Sequence, residues 1–122
     1  MKKIKDKYNP LKVSYGLFGS KYKMEIIYFL NLKSRRFSEI KILLKSVTQQ
    51  LLTKKLRELE NNDLISRYTH KGYPRKVEYS ISPFGKNIIP IINSIISWEK
   101  KNSVKISKLV EKNIVDSLYD YY

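Results

Sequence analysis

A chain of 122 residues with 42% apolar side chains is long enough for one domain with its own core, and it should fold rather than stay disordered. Its 25 Lys and Arg against 11 Asp and Glu give a net charge of +14 and point to a polyanionic partner, nucleic acid first and an anionic membrane second. The absence of cysteine excludes disulfides, thiolate metal sites and thiol switches, a single His70 cannot build a metal site, and no apolar run approaches the ~20 residues of a membrane span.

The charge is unevenly placed. Residues 1–23 carry +6, residues 33–76 carry +8, and residues 77–122 only +1, so the C-terminal third is not the anion-binding part. The Lys-rich start lacks a following apolar core and does not read as a secretion signal, so the expected location is the cytoplasm.

Residues 1–9 read as a basic, flexible arm. Pro10 suits the first turn of a helix whose short apolar stripe is Leu11, Tyr15 and Phe18, with Leu17 beside it, ended by Gly19. Ser20 is the expected cap of a second helix, Lys21 to Leu32, with Met24, Ile27, Tyr28 and Leu30 or Phe29 facing inward. After a turn at 31–34 and a short extended piece at Arg35–Phe37, Ser38 is the expected cap of a third helix, which buries Ile40, Leu43 and Leu44.

Ser46 to Leu59 is the stretch the chain is organised around. Leu52, Leu56 and Leu59 recur at i, i+4, i+7 on one helical face, and Thr48 stands before them as an N-cap. The other face holds Gln49, Gln50, Thr53, Lys54 and Arg57, where amides read base edges and cations or hydroxyls take phosphates. With the preceding helix it forms a helix-turn-helix, although the turn lacks the glycine often seen there.

Asn61, Asn62 and Asp63 stop the helix. Leu64–Thr69 and Arg75–Ile81 then read as two strands around the turn His70–Pro74, a hairpin with a basic tip. A helix-turn-helix followed by such a hairpin is a winged helix. Ser82 and Pro83 open an Ile-rich helix that runs to Trp98, with Pro90 expected to bend it or to mark where its first turns end. A last helical segment runs from Ser103 to the tyrosine-rich end. Both are apolar over a wide arc, which suggests a dimer interface that the first helix could join. The expected fold is thus mainly α with a small β-hairpin wing (α+β): a winged helix-turn-helix core at 10–85 and dimerisation helices at 86–122.

The ordered blocks from Asn9 to Asn102 resemble the HxlR-type, MarR-like transcriptional regulators. Gly19-Ser20-Lys21-Tyr22 is similar to the family's Gly-Gly-Lys-Trp, and Arg36-Phe37-Ser38-Glu39-Ile40 to its Arg-Phe-Ser-Glu-Leu. Thr48-Gln49-Gln50-Leu51-Leu52-Thr53 and Leu56-Arg57-Glu58-Leu59-Glu60 resemble its Ser-Gln-Lys-x-Leu-Ser and Leu-Arg-Glu-Leu-Glu. Leu64-Ile65-Ser66-Arg67 and the run Pro74 to Gly85 resemble its wing and wing exit. The resemblance implies a homodimer on a pseudo-palindromic operator of double-stranded DNA. Several members carry a redox-sensing cysteine just before the proline of the first helix; here Asn9 stands there.

The candidate DNA contacts are Thr48, Gln49, Gln50, Thr53, Lys54 and Arg57 on the recognition helix, spanning 48–60. Lys71, Arg75 and Lys76 stand on the wing, spanning 67–77. Arg35, Arg36 and Ser38 are candidates to clamp a phosphate at a helix start, with a structural role for Arg36 left open. Ordinary solvated surface is the competing reading for the other recognition-helix and wing residues, and an ion pair with a nearby glutamate for Arg57. An effector pocket among Tyr15, Phe18, Tyr22 and Trp98 competes with simple core packing, which is favoured. No cofactor, metal or catalytic group is expected, because the chain lacks a carboxylate pair on an apolar wall and a phosphate-binding glycine loop. A nonspecific nucleoid-type DNA-binding protein is the alternative function.

Overall fold

The computed structural model describes residues 9–111. Asn9 caps α1 (Pro10–Ser14) by accepting the Lys12 N–H at 3.2 Å, with Pro10 in the first turn. The helix then widens into one π-helical turn, Tyr15–Gly19, closed by the Ser20 N–H donating to the Tyr15 carbonyl at 2.9 Å. α2 (Lys23–Leu32), β1 (Arg35–Arg36), α3 (Phe37–Leu44) and α4 (Gln49–Asn61) follow. β2 (Ile65–His70) and β3 (Lys76–Ile81) form the hairpin, and α5 (Pro83–Lys86), α6 (Ile89–Lys101) and α7 (Ser103–Glu111) complete the described chain. The expected arm at residues 1–8 and the tail at 112–122 lie outside the described residues.

The three strands make one antiparallel sheet in the order β1-β3-β2, with Arg35 opposite Tyr79 and Arg67 opposite Tyr79 on its other side. Its base is buried through Ile65 and its tip is open. The core gathers Ile26, Ile27 and Leu30 of α2, Ile40 and Leu44 of α3, and Leu52, Leu56 and Leu59 of α4. Leu64, Ile65, Ile88 and Ile92 close it from the C-terminal side. The leucine spacing of α4 therefore does what its period requires: all three leucines are buried and the opposite face is not.

Three expected starts and stops fall elsewhere. Ser20 does not cap α2; its carbonyl takes the Lys23 N–H at 3.0 Å, and Tyr22 at φ 72° turns the chain into the helix two residues later than the capping serine implied. Ser38 does not cap α3. The cap position is Arg36, whose own N–H donates to Glu39 Oε1 at 2.8 Å, so the side chain returning from the third helical position marks the start. The Ile-rich segment is two helices rather than one. α5 ends at Lys86, and Pro90 sits in the first turn of α6, where its missing N–H leaves no bond unmade.

The wing exit is tightly built. The Ser82 hydroxyl donates to the Asp63 carbonyl at 2.6 Å and accepts the Gly85 N–H at 2.9 Å, tying the end of α4 to the start of α5. Asp63 takes the left-handed conformation that lets the chain leave α4. Gly85 packs so close to Leu64 that a Cβ would overlap the Leu64 carbonyl oxygen, which explains a glycine inside a helical turn.

Candidate nucleic-acid interface

Thr48 accepts the Leu51 N–H at 3.1 Å and caps α4, so the recognition helix begins where the spacing places it. Gln49, Gln50, Thr53, Lys54 and Arg57 are all exposed along its outer face. The Thr53 hydroxyl donates to the Gln49 carbonyl at 2.8 Å, which holds its rotamer while leaving the oxygen able to accept. The Gln amides have no protein partner among the described residues and are free to bond elsewhere.

On its inner side the helix is held by charge as well as by leucines. Lys23, 3% exposed, places Nζ 2.8 Å from Glu58 Oε2 and donates to the Gly16 carbonyl at 2.8 Å. The hydrogen bond from Lys23 holds the Glu58 carboxyl below the usual carboxylate range. Lys55, beside it, donates to Ser20 Oγ at 3.4 Å, and burial pushes its ammonium pKa down, with neighbouring lysines adding to the effect. Tyr22 reaches Ser46 Oγ at 3.2 Å. A buried lysine thus links the turn after α1 to the back of the recognition helix. Sequence reasoning missed it, because a lysine before an apolar run reads as solvated surface. The clue was Glu58, an acid beside the leucine stripe.

The other candidate residues fall into two groups. Arg36, Ser38, Lys71, Arg75 and Lys76 are exposed, and among the described residues neither Arg36 nor the three wing cations has an ion pair. Arg35 differs. It is half-buried, donates from Nε to the Phe29 carbonyl at 3.1 Å and lies 5.9 Å over the Phe29 ring, so it fastens β1 to α2. Among the described residues Arg57 has no ion pair with a neighbouring glutamate; it lines a polar cleft of about 370 Å³ with Thr53, Glu60, Arg67 and Tyr79. Arg67 was not among the expected residues, although its strand position opposite Tyr79 puts it beside α4.

Gly72 at φ 116° makes the wing turn. At the wing stem His70 Nε2 lies 3.3 Å from Glu78 Oε1 and its ring meets Tyr68 edge-on at 4.8 Å, so it is half-sheltered rather than fully solvated. The four aromatics considered as a pocket do not share one: Tyr22 is buried, Phe18 is half-buried, and Trp98 lines a shallow depression with Asn93, Ser94, Ser97 and Lys101.

The helix pair, the hairpin wing and the three-stranded sheet define a winged helix-turn-helix of the kind found in MarR-like regulators. A family model described as HxlR-like helix-turn-helix matches residues 17–107, and the chain belongs to that family. A relative described as an uncharacterized HTH-type transcriptional regulator, YdeP of Bacillus subtilis strain 168, is 37% identical over 100 residues, covering 82% of this chain and 78% of its own. The redox regulator HypR in its reduced form superposes with a TM-score of 0.76 at 31% identity, covering 82% of this chain and 99% of its own. A MarR-family regulator from Enterococcus faecalis V583 gives 0.71 at 27% identity, covering 85% and 94%. The family consists of DNA-binding transcriptional regulators rather than enzymes. Among the described residues no helix is long and apolar enough to cross a membrane.

Proposed function

We propose that this chain is a homodimeric regulator that reads a pseudo-palindromic operator in double-stranded DNA, with no catalysis, working in the cytoplasm. Recognition helix 48–60 enters the major groove by its N-terminal turns, where Gln49 and Gln50 address base edges and Thr48, Thr53 and Lys54 meet base or phosphate. Wing 67–77 lies on flanking DNA through Lys71, Arg75 and Lys76. Arg36 and Ser38 take a phosphate beside them, with Arg35 holding the strand that presents Arg36. Arg57 and Arg67 form a second phosphate position in their shared cleft.

One observation carries this reading: α4 buries Leu52, Leu56 and Leu59 while its outer face is lined by amide, hydroxyl and cationic groups that, among the described residues, have no ion pairs. The core at 10–85 carries the DNA surface, and the helices from 86 onward, joined by α1, carry the dimer. Leu11 at 82% exposure, Trp98 at 59% and Val104 at 70% support that division, since apolar side chains so open on α1, α6 and α7 call for a covering surface.

Binding to an inverted-repeat operator and to random DNA, compared across a salt series, tests the reading. Specific binding by about 10³ or more over random sequence is expected. A steep salt slope with no preferred sequence would instead favour a nonspecific nucleoid-type protein, which the net charge of +14 would serve equally well.

A further inference from the structure

Glu78 is the only acid in the three strands of the sheet. It stands on the central strand β3, with Arg36 of β1 opposite it on one side and Tyr68 of β2 on the other. Directly opposed residues share a face with Cβ atoms about 4.5–5.5 Å apart, so the Arg36 guanidinium has Glu78 within reach. Arg36 nevertheless has no ion pair among the described residues. Glu78 instead brings Oε1 to 3.3 Å from Nε2 of His70, its diagonal neighbour on β2. The Tyr68 ring meets the imidazole edge-on with centroids 4.8 Å apart and braces it from the same strand. Loose pairing of β1 does not explain the preference. The Ser34 and Ser80 hydroxyls meet at 2.7 Å beside the Arg36–Glu78 pair and fasten β1 to β3. Glu39, the acid nearest Arg36 on its own segment, is spent on the Arg36 backbone N–H.

We propose that His70 is a positioning residue for the DNA surface: it draws the Glu78 carboxylate toward the wing and leaves Arg36 free for a phosphate. The inference rests on the phosphate contact assigned above to Arg36. Without His70 the carboxylate turns to the guanidinium opposite and cancels the charge that DNA needs. The groups facing the pair are Arg36 from β1, Tyr68 from β2 and Lys76 from β3, with Lys71 next in the turn. Histidine is the side chain that ordinarily gains a charge between about pH 8 and pH 5, and an imidazolium holds a carboxylate more firmly than neutral imidazole does. DNA binding should therefore tighten as pH falls through that range. This is the only histidine in the chain, and there is no cysteine to titrate beside it.

The test measures binding of the full chain to a double-stranded DNA of mixed sequence at fixed salt, since a phosphate contact acts on every sequence. At neutral pH His70→Ala should weaken binding about three- to fivefold, the scale of one solvent-exposed ion pair. In a Glu78→Gln background the same substitution should have little effect, a non-additivity that two independent charge changes do not produce. His70→Lys, which keeps a cation beside Glu78, should bind at least as well as the parent and lose most of the pH dependence. Equal losses from His70→Ala in both backgrounds would overturn the proposal, as would a pH dependence that Glu78→Gln leaves unchanged. A second readout needs no DNA. The nuclear magnetic resonance signal of the Arg36 Nε–H should shift on His70→Ala while Glu78 is present and stay in place in the Glu78→Gln background. An Arg36 signal that His70→Ala never moves would also overturn it. If the parent bound no DNA, the function proposed above would fall, while this signal would still decide whether His70 holds Glu78 away from Arg36.

Discussion

The recognition helix and the wing bear the same sign of charge and are held in opposite ways. α4 is fixed on its inner side by Leu52, Leu56 and Leu59, by the Lys23–Glu58 pair, and at its start by Thr48. The wing is anchored only at its base, through Ile65 at 1% exposure, while Lys71 to Lys76 stand in solvent. Sequence-reading groups need a rigid mount, because a bidentate base contact tolerates little error. Phosphate-seeking cations do not, because their attraction is long-ranged and indifferent to register.

If that contrast holds, substitutions should separate by region. Leu56→Ala should cost about 2–5 kcal/mol of stability, read from chemical denaturation, because it opens a cavity under the helix. Glu58→Ala strands a buried ammonium. It should cost about 2 kcal/mol, less than for a fully enclosed pair because Glu58 is 34% exposed. The same pair predicts a pH dependence. Since the native Glu58 pKa is depressed, its contribution is complete above the ordinary glutamate range and is lost as pH falls through the native value. An acid-denaturation profile of Glu58→Gln should lack that component. A profile superposable on the parent would remove the pair from the account.

Smaller effects should appear in binding rather than in stability. Gln50→Ala should leave the fold intact and relax preference at one base position, by about 1–3 kcal/mol of discrimination. Unchanged preference would take Gln50 out of the reading set. Lys71→Ala with Arg75→Ala should weaken binding to all sequences alike and flatten the salt slope. A loss confined to one sequence would show that the wing reads bases and would break the contrast itself.

What the sequence made legible follows the same division. Period and caps depend on neighbouring residues, so the leucine stripe, the Thr48 cap and the Ser82–Pro83 start were readable directly. The Gly72 turn was readable for the same reason. Features set by packing at a distance were not. Tyr22 turns left-handed and Lys23 is buried because Gly16 and Glu58 meet it from separate parts of the chain. Arg36 takes the cap position that Ser38 seemed to own because Glu39, not a serine, closes the first turn. Arg35 and Arg57 look alike in sequence, yet one is spent on Phe29 and the other faces a cleft with Arg67.

The central claim, that α4 is a reading head and the wing a clamp, is tested most directly by selecting bound sequences from a random pool of double-stranded DNA with the purified protein. The account predicts enrichment of an inverted repeat whose half-sites lie about one helical turn, roughly 10 base pairs, or a multiple of that apart. It further predicts that Gln50→Ala changes the half-site, while the Lys71→Ala, Arg75→Ala variant enriches the parent's motif. Retention of the binding with no enriched motif would contradict it.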